Sequence, residues 1–352
     1  MEKIQEVASK IRKLDLSWSQ RAQAKLDDLT KPQGSLGRLE ELAKQIVSIN
    51  CDINPKISKK AIIIMAADHG VVDEGVSAYP KEVTAQMVYN FLSGGAAINV
   101  LARHIEADVF VVDIGVAADF KENSLLIQKK VDYGTKNMAK GPAMTKEQAI
   151  KSLEAGIGVA KSMIEKGYDI LATGDMGIGN TTASSAVASV ICKTDVEDVT
   201  GLGTGIDKKG LENKINIIKK AISLNNPDAC DGIDVLSKVG GFEIGGIAGI
   251  ILGCAACKVP VVIDGFISGA GALIAYTIAP DSVNYMIPSH SSVEKGHKII
   301  LGKLGIKALL DFDMRLGEGT GAALGISIVE ASVKILNEMA TFSQAGVSEK
   351  NE

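Results

Sequence analysis

The chain has 352 residues, 46% hydrophobic and 23% charged, with 37 glycines, only 4% aromatic residues and a net charge of −4. That composition excludes a disordered, collagen-like or coiled-coil chain and demands a core of Ile, Val, Leu and Ala joined by tight glycine loops. Charges of both signs are mixed along the chain with no basic stripe, so no nucleic-acid partner is expected. In chain order, the opening MEKIQEVASKIRKLDL is charged throughout and does not read as a secretory signal. Ile4, Val7, Ile11 and Leu14, then Leu36, Leu39, Leu42, Ile46 and Ile49, follow helical spacing. Between them, TKPQGSLGRLE breaks the helix at Pro32, Gly34 and Gly37, with Ser35 a candidate cap for the next one.

After Pro55, short aliphatic runs recur at 61–70, 107–115, 168–175, 259–265 and 307–313, with a weaker one at 283–288. Continuous rather than alternating apolar runs suit strands buried on both faces, as in a parallel sheet. Helical stretches at 146–166 and 210–224 lie between them, and a last helix at 321–339 precedes a polar tail. The longest apolar run, Gly245 to Cys257, is too short for the ~20 residues of a membrane span, so no membrane partner is expected. Five cysteines without a secretory signal suggest reduced thiols and a cytoplasmic setting, and CAAC at 254–257 reads as small hydrophobes in an apolar helix. The expected fold is a Rossmann-like three-layer α/β/α domain with a mostly parallel sheet.

Most of the strand runs end in acids: Asp68, Asp113, Asp175, Asp264, Asp311 and Asp313. Ligands of open α/β sheets bind beyond the carboxyl ends of the strands, so each acid either caps the next helix or faces a ligand. His69 and His290 also stand at strand ends, within reach of a ligand. The histidines show no metal-ligand spacing, and neither a metal nor a cofactor is expected.

Three glycine-rich loops stand out. GDMGIGNTT (174–182) follows a strand and opens a helix; its glycines let backbone N–H groups approach an anion, and Asn180, Thr181 and Thr182 add donors. The alternative is a glycine turn with a Thr cap. GLGTGID (201–207) is a second such loop, with Lys214 on the helix that follows, either solvated or aimed at the ligand. RLGEGTGAALG (315–325) sets Glu318 between two glycines, where a carboxylate is unshielded, although a first-turn acid is also favoured by the helix dipole. The GxGxxA match inside it lacks the later strand and acid of a dinucleotide fold.

LTKPQGSLGRLEELA, ADHGVVDEGVSAYPKEVTAQMVYNFLSGGAAINVLAR, GDMGIGNTTASSAV, GGFEIGGIAGIILGCA, DGFISGAGALIA, PSHSSVEKGHK and DFDMRLGEGTGAAL, in that order, resemble the nicotinate-nucleotide–dimethylbenzimidazole phosphoribosyltransferase family. The resemblance implies transfer of the phosphoribosyl group of nicotinate mononucleotide to an aromatic base, giving the α-ribazole phosphate of a cobamide lower ligand. It implies a large Rossmann-like domain over 56–324, a small helical domain from 1–55 plus 325–352, and a homodimer. It places the catalytic base on Glu318, an active-site lysine on Lys214, and makes Asp175 a candidate to stabilise oxocarbenium character. The phosphoribosyl and phosphate pocket falls on Gly177, Gly179, Asn180, Thr181 and Thr182, with Gly203, Thr204 and Gly205 opposite. The base pocket falls on Ser77, Ala78, Tyr79, Gln86 and Leu316. Asp175 stands where the family pattern has glutamate, and Ala78 where some members have a small hydroxyl, so the preferred base stays open. A non-catalytic homologue and a hydrolase using water are the alternatives.

Overall fold

A computed structural model of the chain describes residues 1–203 and 205–348. Among these residues six strands form one sheet: β1 (Lys60–Ala67), β2 (Ala107–Gly115), β3 (Leu126–Gln128), β4 (Ile170–Met176), β5 (Val261–Ile263) and β6 (Met286–Pro288). Their order is β3-β2-β1-β4-β5-β6, and every neighbouring pair is parallel. The winding reverses between β1 and β4, which opens a crevice beyond the carboxyl ends of those two strands.

All eight residues of β1 are buried. Ala61, Ile63, Met65 and Ala67 enter one core, and Ile62, Ile64 and Ala66 the other. Both faces are therefore covered by helices, which explains the unbroken apolar run. Helices Lys146–Glu165, Asn180–Cys192, Gly232–Val239, Phe242–Ala256 and Phe266–Ile278 supply the first core. Helices Arg38–Asn50, Glu82–Leu92, Ala97–His104 and Thr320–Glu338 supply the second. The fold is the expected α/β/α Rossmann-like arrangement. No helix among the described residues is long and apolar enough to cross a membrane.

The chain ends meet in a third cluster of Ala22, Leu26, Leu29, Ala43, Val47 and Leu336. It is closed by an antiparallel bridge between Leu29 and Thr341 and by the Thr30 N–H on the Ala340 carbonyl at 3.0 Å. Ile4, Val7 and Ile11 instead pack into the first sheet core.

One expected strand is absent and one unexpected strand is present, each for a local reason. The run 307–313 is not a strand; it makes a single parallel bridge, Leu310 to His290, beside the end of β6. Its exposed Asp311, Phe312 and Asp313, the last at φ 53°, turn the chain away before a ladder can grow. Conversely β3 is only three residues long, too short to carry a periodic signal. Ser35 caps nothing either: Gly37 precedes helix Arg38–Asn50, and Glu40 Oε1 accepts the Leu36 N–H at 3.1 Å.

Helices Lys146–Glu165 and Phe242–Ala256 touch backbone to backbone. A Cβ on Gly156 would lie 2.0 Å from the Gly246 carbonyl oxygen, and one on Gly249 2.2 Å from that of Leu153. Only glycine permits that approach. Gly156→Ala is expected to destabilise the fold by about 3 kcal/mol, read as a lower urea midpoint with an unchanged slope.

Candidate active site

The carboxyl edge of the sheet is organised around Asp264, which follows β5 and is fully buried. Its Oδ2 accepts the Gly319 N–H at 3.1 Å and its Oδ1 the Ala322 N–H at 2.9 Å. Asp264 thus caps the helix Thr320–Glu338, not the helix that follows it in sequence. Burial raises its carboxyl pKa, against His290 and those backbone donors.

That cap holds an unusual turn. Gly317, Glu318 and Gly319 all have left-handed backbone, with φ of 81°, 64° and 91°. A non-glycine residue there costs about 1 kcal/mol, and it persists because the surroundings over-determine it. The Thr320 hydroxyl donates to the Gly317 carbonyl at 2.8 Å, and a Cβ on Gly174 of β4 would lie 2.6 Å from the Glu318 carbonyl oxygen. Glu318 is 7% exposed, and its Oε2 is buried without a hydrogen-bond partner. Burial pushes its carboxyl up to about 7, opposed by a hydrogen bond from the Ile98 N–H and reinforced by the Asp264 charge. A carboxylate with one oxygen free and that pKa is equipped to take a proton near neutral pH.

Asp175, near the end of β4, lies against the same turn: a Cβ on Gly317 would sit 3.3 Å from its Oδ2. Asn180 Nδ2 donates to Asp175 Oδ2 at 2.9 Å, while Oδ1 has no partner. Burial holds this carboxyl well above its ordinary value, with Asp264, Glu243 and Glu318 adding repulsion. Gly177 passes close over the end of β1, since a Cβ on it would lie 2.2 Å from the Ala67 carbonyl oxygen, and Gly179 passes over Val72, with its Cβ position 2.6 Å from Val72 Cγ2. The Ile178 N–H is tied to Thr84 Oγ1 at 3.1 Å. This turn delivers the chain to the N-terminus of helix Asn180–Cys192, with Thr181 half-buried and Thr182 buried on its first turn.

Lys214 is brought to that same turn and is 1% exposed. Its Nζ donates to Thr181 Oγ1 at 2.8 Å, and a Cβ on Gly203 would lie 3.1 Å from it. Burial lowers its pKa to about 8, with Glu294 opposing. Arg315 Nη1 donates to the Gly203 carbonyl at 3.1 Å, so the 201–207 and 315–319 loops are joined. Gly205 is exposed at φ 99° with open space around it, and Thr204 lies outside the described residues. Ser77 is half-buried and its Oγ accepts the Tyr79 N–H at 3.2 Å. Ala78 and Gln86 are exposed, and Tyr79 and Leu316 are 53% and 58% exposed, an open surface rather than a packed one.

The remaining strand-end groups face inward. Asp68 accepts the Ala117 N–H at 2.8 Å; Asp113 accepts the Val116 N–H at 3.0 Å and pairs with Lys130 at 2.8 Å. Both therefore order the loop after β2. His290 is buried with Nδ1 3.0 Å from Ser289 Oγ, and His69 is buried with Nε2 2.8 Å from Glu243 Oε1. Neither histidine is open to a ligand. Sequence reasoning assigns Glu243 no role, although it is the single charged residue of a fifteen-residue apolar helix, a signal in itself. The Ile98 N–H beside Glu318 carries no side-chain signal at all.

Comparisons with known proteins agree with this fold. A family model described as phosphoribosyltransferase matches residues 11–347. A nicotinate-nucleotide–dimethylbenzimidazole phosphoribosyltransferase from Roseiflexus sp. (strain RS-1) is 57% identical over 352 residues, covering 100% of both chains. One of the same name from Geobacter metallireducens is 56% identical over 342 residues, covering 97% of each. The crystal structure of the Thermus thermophilus protein of that name superposes with a TM-score of 0.91 at 43% identity, covering 96% of this chain and 100% of that one.

Because Asp264 alone satisfies two buried helix-start donors, Asp264→Ala is expected to lower stability by about 3 kcal/mol in chemical denaturation. Asp264→Asn, which keeps an acceptor, is expected to recover roughly half of that loss.

Proposed function

The chain belongs to the nicotinate-nucleotide–dimethylbenzimidazole phosphoribosyltransferase family, and on that premise we propose that it moves the phosphoribosyl group of nicotinate mononucleotide to a nitrogen of dimethylbenzimidazole or a related base. It is a pentosyltransferase, and its products are nicotinate and the α-ribazole phosphate used as a cobamide lower ligand. The observation that carries the reading is the Glu318 carboxylate, fixed on a left-handed turn with one oxygen buried and unpartnered.

In the proposed reaction a ring nitrogen of the base forms a bond to C1′ of the ribose as the C1′–nitrogen bond to nicotinate breaks. Nicotinate leaves with the electron pair, and the sugar inverts from β to α. Positive charge spreads over the incoming ring, its second N–H becomes acidic, and Glu318 takes that proton. Asp175 faces the developing positive charge at C1′. The cationic pyridinium of the bound nucleotide favours its ionised form, reversing the effect of burial.

The phosphate is held by backbone N–H groups and side chains of Gly177, Gly179, Asn180, Thr181 and Thr182, with Gly203, Thr204 and Gly205 across from them. Lys214 supplies the cation. Ser77, Ala78, Tyr79, Gln86 and Leu316 receive the acceptor base at the open side of Glu318. We extend the proposal to a small helical domain formed by 1–55 and 325–352, a homodimeric assembly and a cytoplasmic location. Shared packing of the two chain ends supports the first of these.

Mass spectrometry of products with nicotinate mononucleotide and a panel of bases tests the reading. An α-riboside phosphate formed only when a base is present is the expected result; nicotinate release without base identifies a hydrolase and overturns it. Glu318→Gln is expected to lower kcat by about a thousandfold while leaving the fold intact. With Glu318 near 7 in the free protein, kcat/KM should rise with pH through about 7 as the carboxylate forms and fall about tenfold per unit below it. An acid limb at pH 4–5 would reassign the base.

A further inference from the structure

Among the buried charged pairs that the proposed chemistry does not use, one lies against the glycine turn after β4. His69 Nε2 and Glu243 Oε1 are 2.8 Å apart, with side chains 1% and 0% exposed. Such a pair is weak as a stabilising device, because desolvation of both groups offsets much of their attraction and an apolar pair of similar volume would hold the core as well. Its location is more telling than its energy. A Cβ on Gly241 would lie 2.4 Å from His69 Cε1 and 2.6 Å from each Glu243 oxygen. Gly177 and Gly179 meet the same histidine, with Cβ positions 3.5 Å from its Cδ2 and 3.2 Å from its Cβ. The imidazole is therefore held between Gly241 and the turn that leads into helix Asn180–Cys192, with the Glu243 carboxylate beside Gly241.

We propose that the His69–Glu243 pair is a positioning device for the phosphate-binding turn, setting the height of the Gly177–Asn180 backbone and directing the positive end of a buried ion pair toward the phosphate. The inference rests on the reading of residues 177–182 as the phosphate site. Three carboxylates surround the ring or its partner: Glu243 from helix Phe242–Ala256, Asp68 from the end of β1, and Asp175 from β4 facing Glu243. Burial alone would lower the imidazole pKa, but contact with Glu243 outweighs it, and the ring is held above its ordinary value. The pair is neutral overall, so its dipole acts on the phosphate together with the backbone donors it supports.

The test compares nicotinate mononucleotide with nicotinate riboside, which lacks the phosphate, in wild type, His69→Gln and Glu243→Gln. For His69→Gln the expected result is a KM for the nucleotide raised about tenfold, kcat within about threefold, and little change with the riboside. Glu243→Gln keeps a hydrogen bond but removes the charge that retains the ring proton. Its KM for the nucleotide should therefore rise between pH 6 and 8 more steeply than in wild type, a change that a purely structural role would not produce. Should His69→Gln fail to fold, the Glu243→Gln profile decides alone. Equal losses with nucleotide and riboside, or a pH profile parallel to wild type, would overturn the proposal. A wild type that does not distinguish the two substrates would remove the phosphate reading beneath it as well.

Discussion

A carboxylate buried at the end of a strand must find donors, and for Asp264 these are the first N–H groups of the last helix. The site depends on that one pairing. Satisfying Asp264 brings the N-terminus of helix Thr320–Glu338 down onto the sheet edge, where there is room only for glycine. A Cβ on Gly321 would strike His290 at 1.9 Å, and one on Gly319 would lie 2.8 Å from Ile62. The approach of the helix fixes the left-handed turn, and the turn fixes Glu318. Helix-start donors and a strand-end acid thereby join residues more than fifty positions apart into one rigid unit.

Charge at this edge is segregated. Asp264 and Glu318 raise the proton affinity of Asp175, Asp264 raises that of Glu318, and burial is the larger cause for both. Lys214 reaches the helix start at Thr181. Under the proposed function, the acidic side meets the pyridinium and the oxocarbenium-like sugar, and the cationic side meets the phosphate. Each end of the nucleotide then supplies the charge its surroundings lack.

Much of this is legible in the residues. Strands buried on both faces announce themselves as unbroken aliphatic runs, and β1, β2 and β4 can be found that way. The glycine loops are legible too, because close backbone approach has no other economical solution. Partnerships across the fold are not. That Asp264 caps a helix 55 positions away follows from the sheet order, which local sequence does not encode. Leu309 and Leu310 are apolar enough for a strand, but their one bridge beside β6 depends on what remains at the sheet edge. The Ile98 N–H beside Glu318 is a backbone group, identical in every residue but proline.

The left-handed backbone of Glu318 also sets stability and activity against each other at one position. A glycine there would adopt φ 64° without strain and would leave no carboxylate to bury. Under the proposed function, replacing the residue on which turnover depends would therefore make the chain easier to fold. Selection of variants by thermal resistance alone would tend to discard Glu318, and only selection for product formation would retain it.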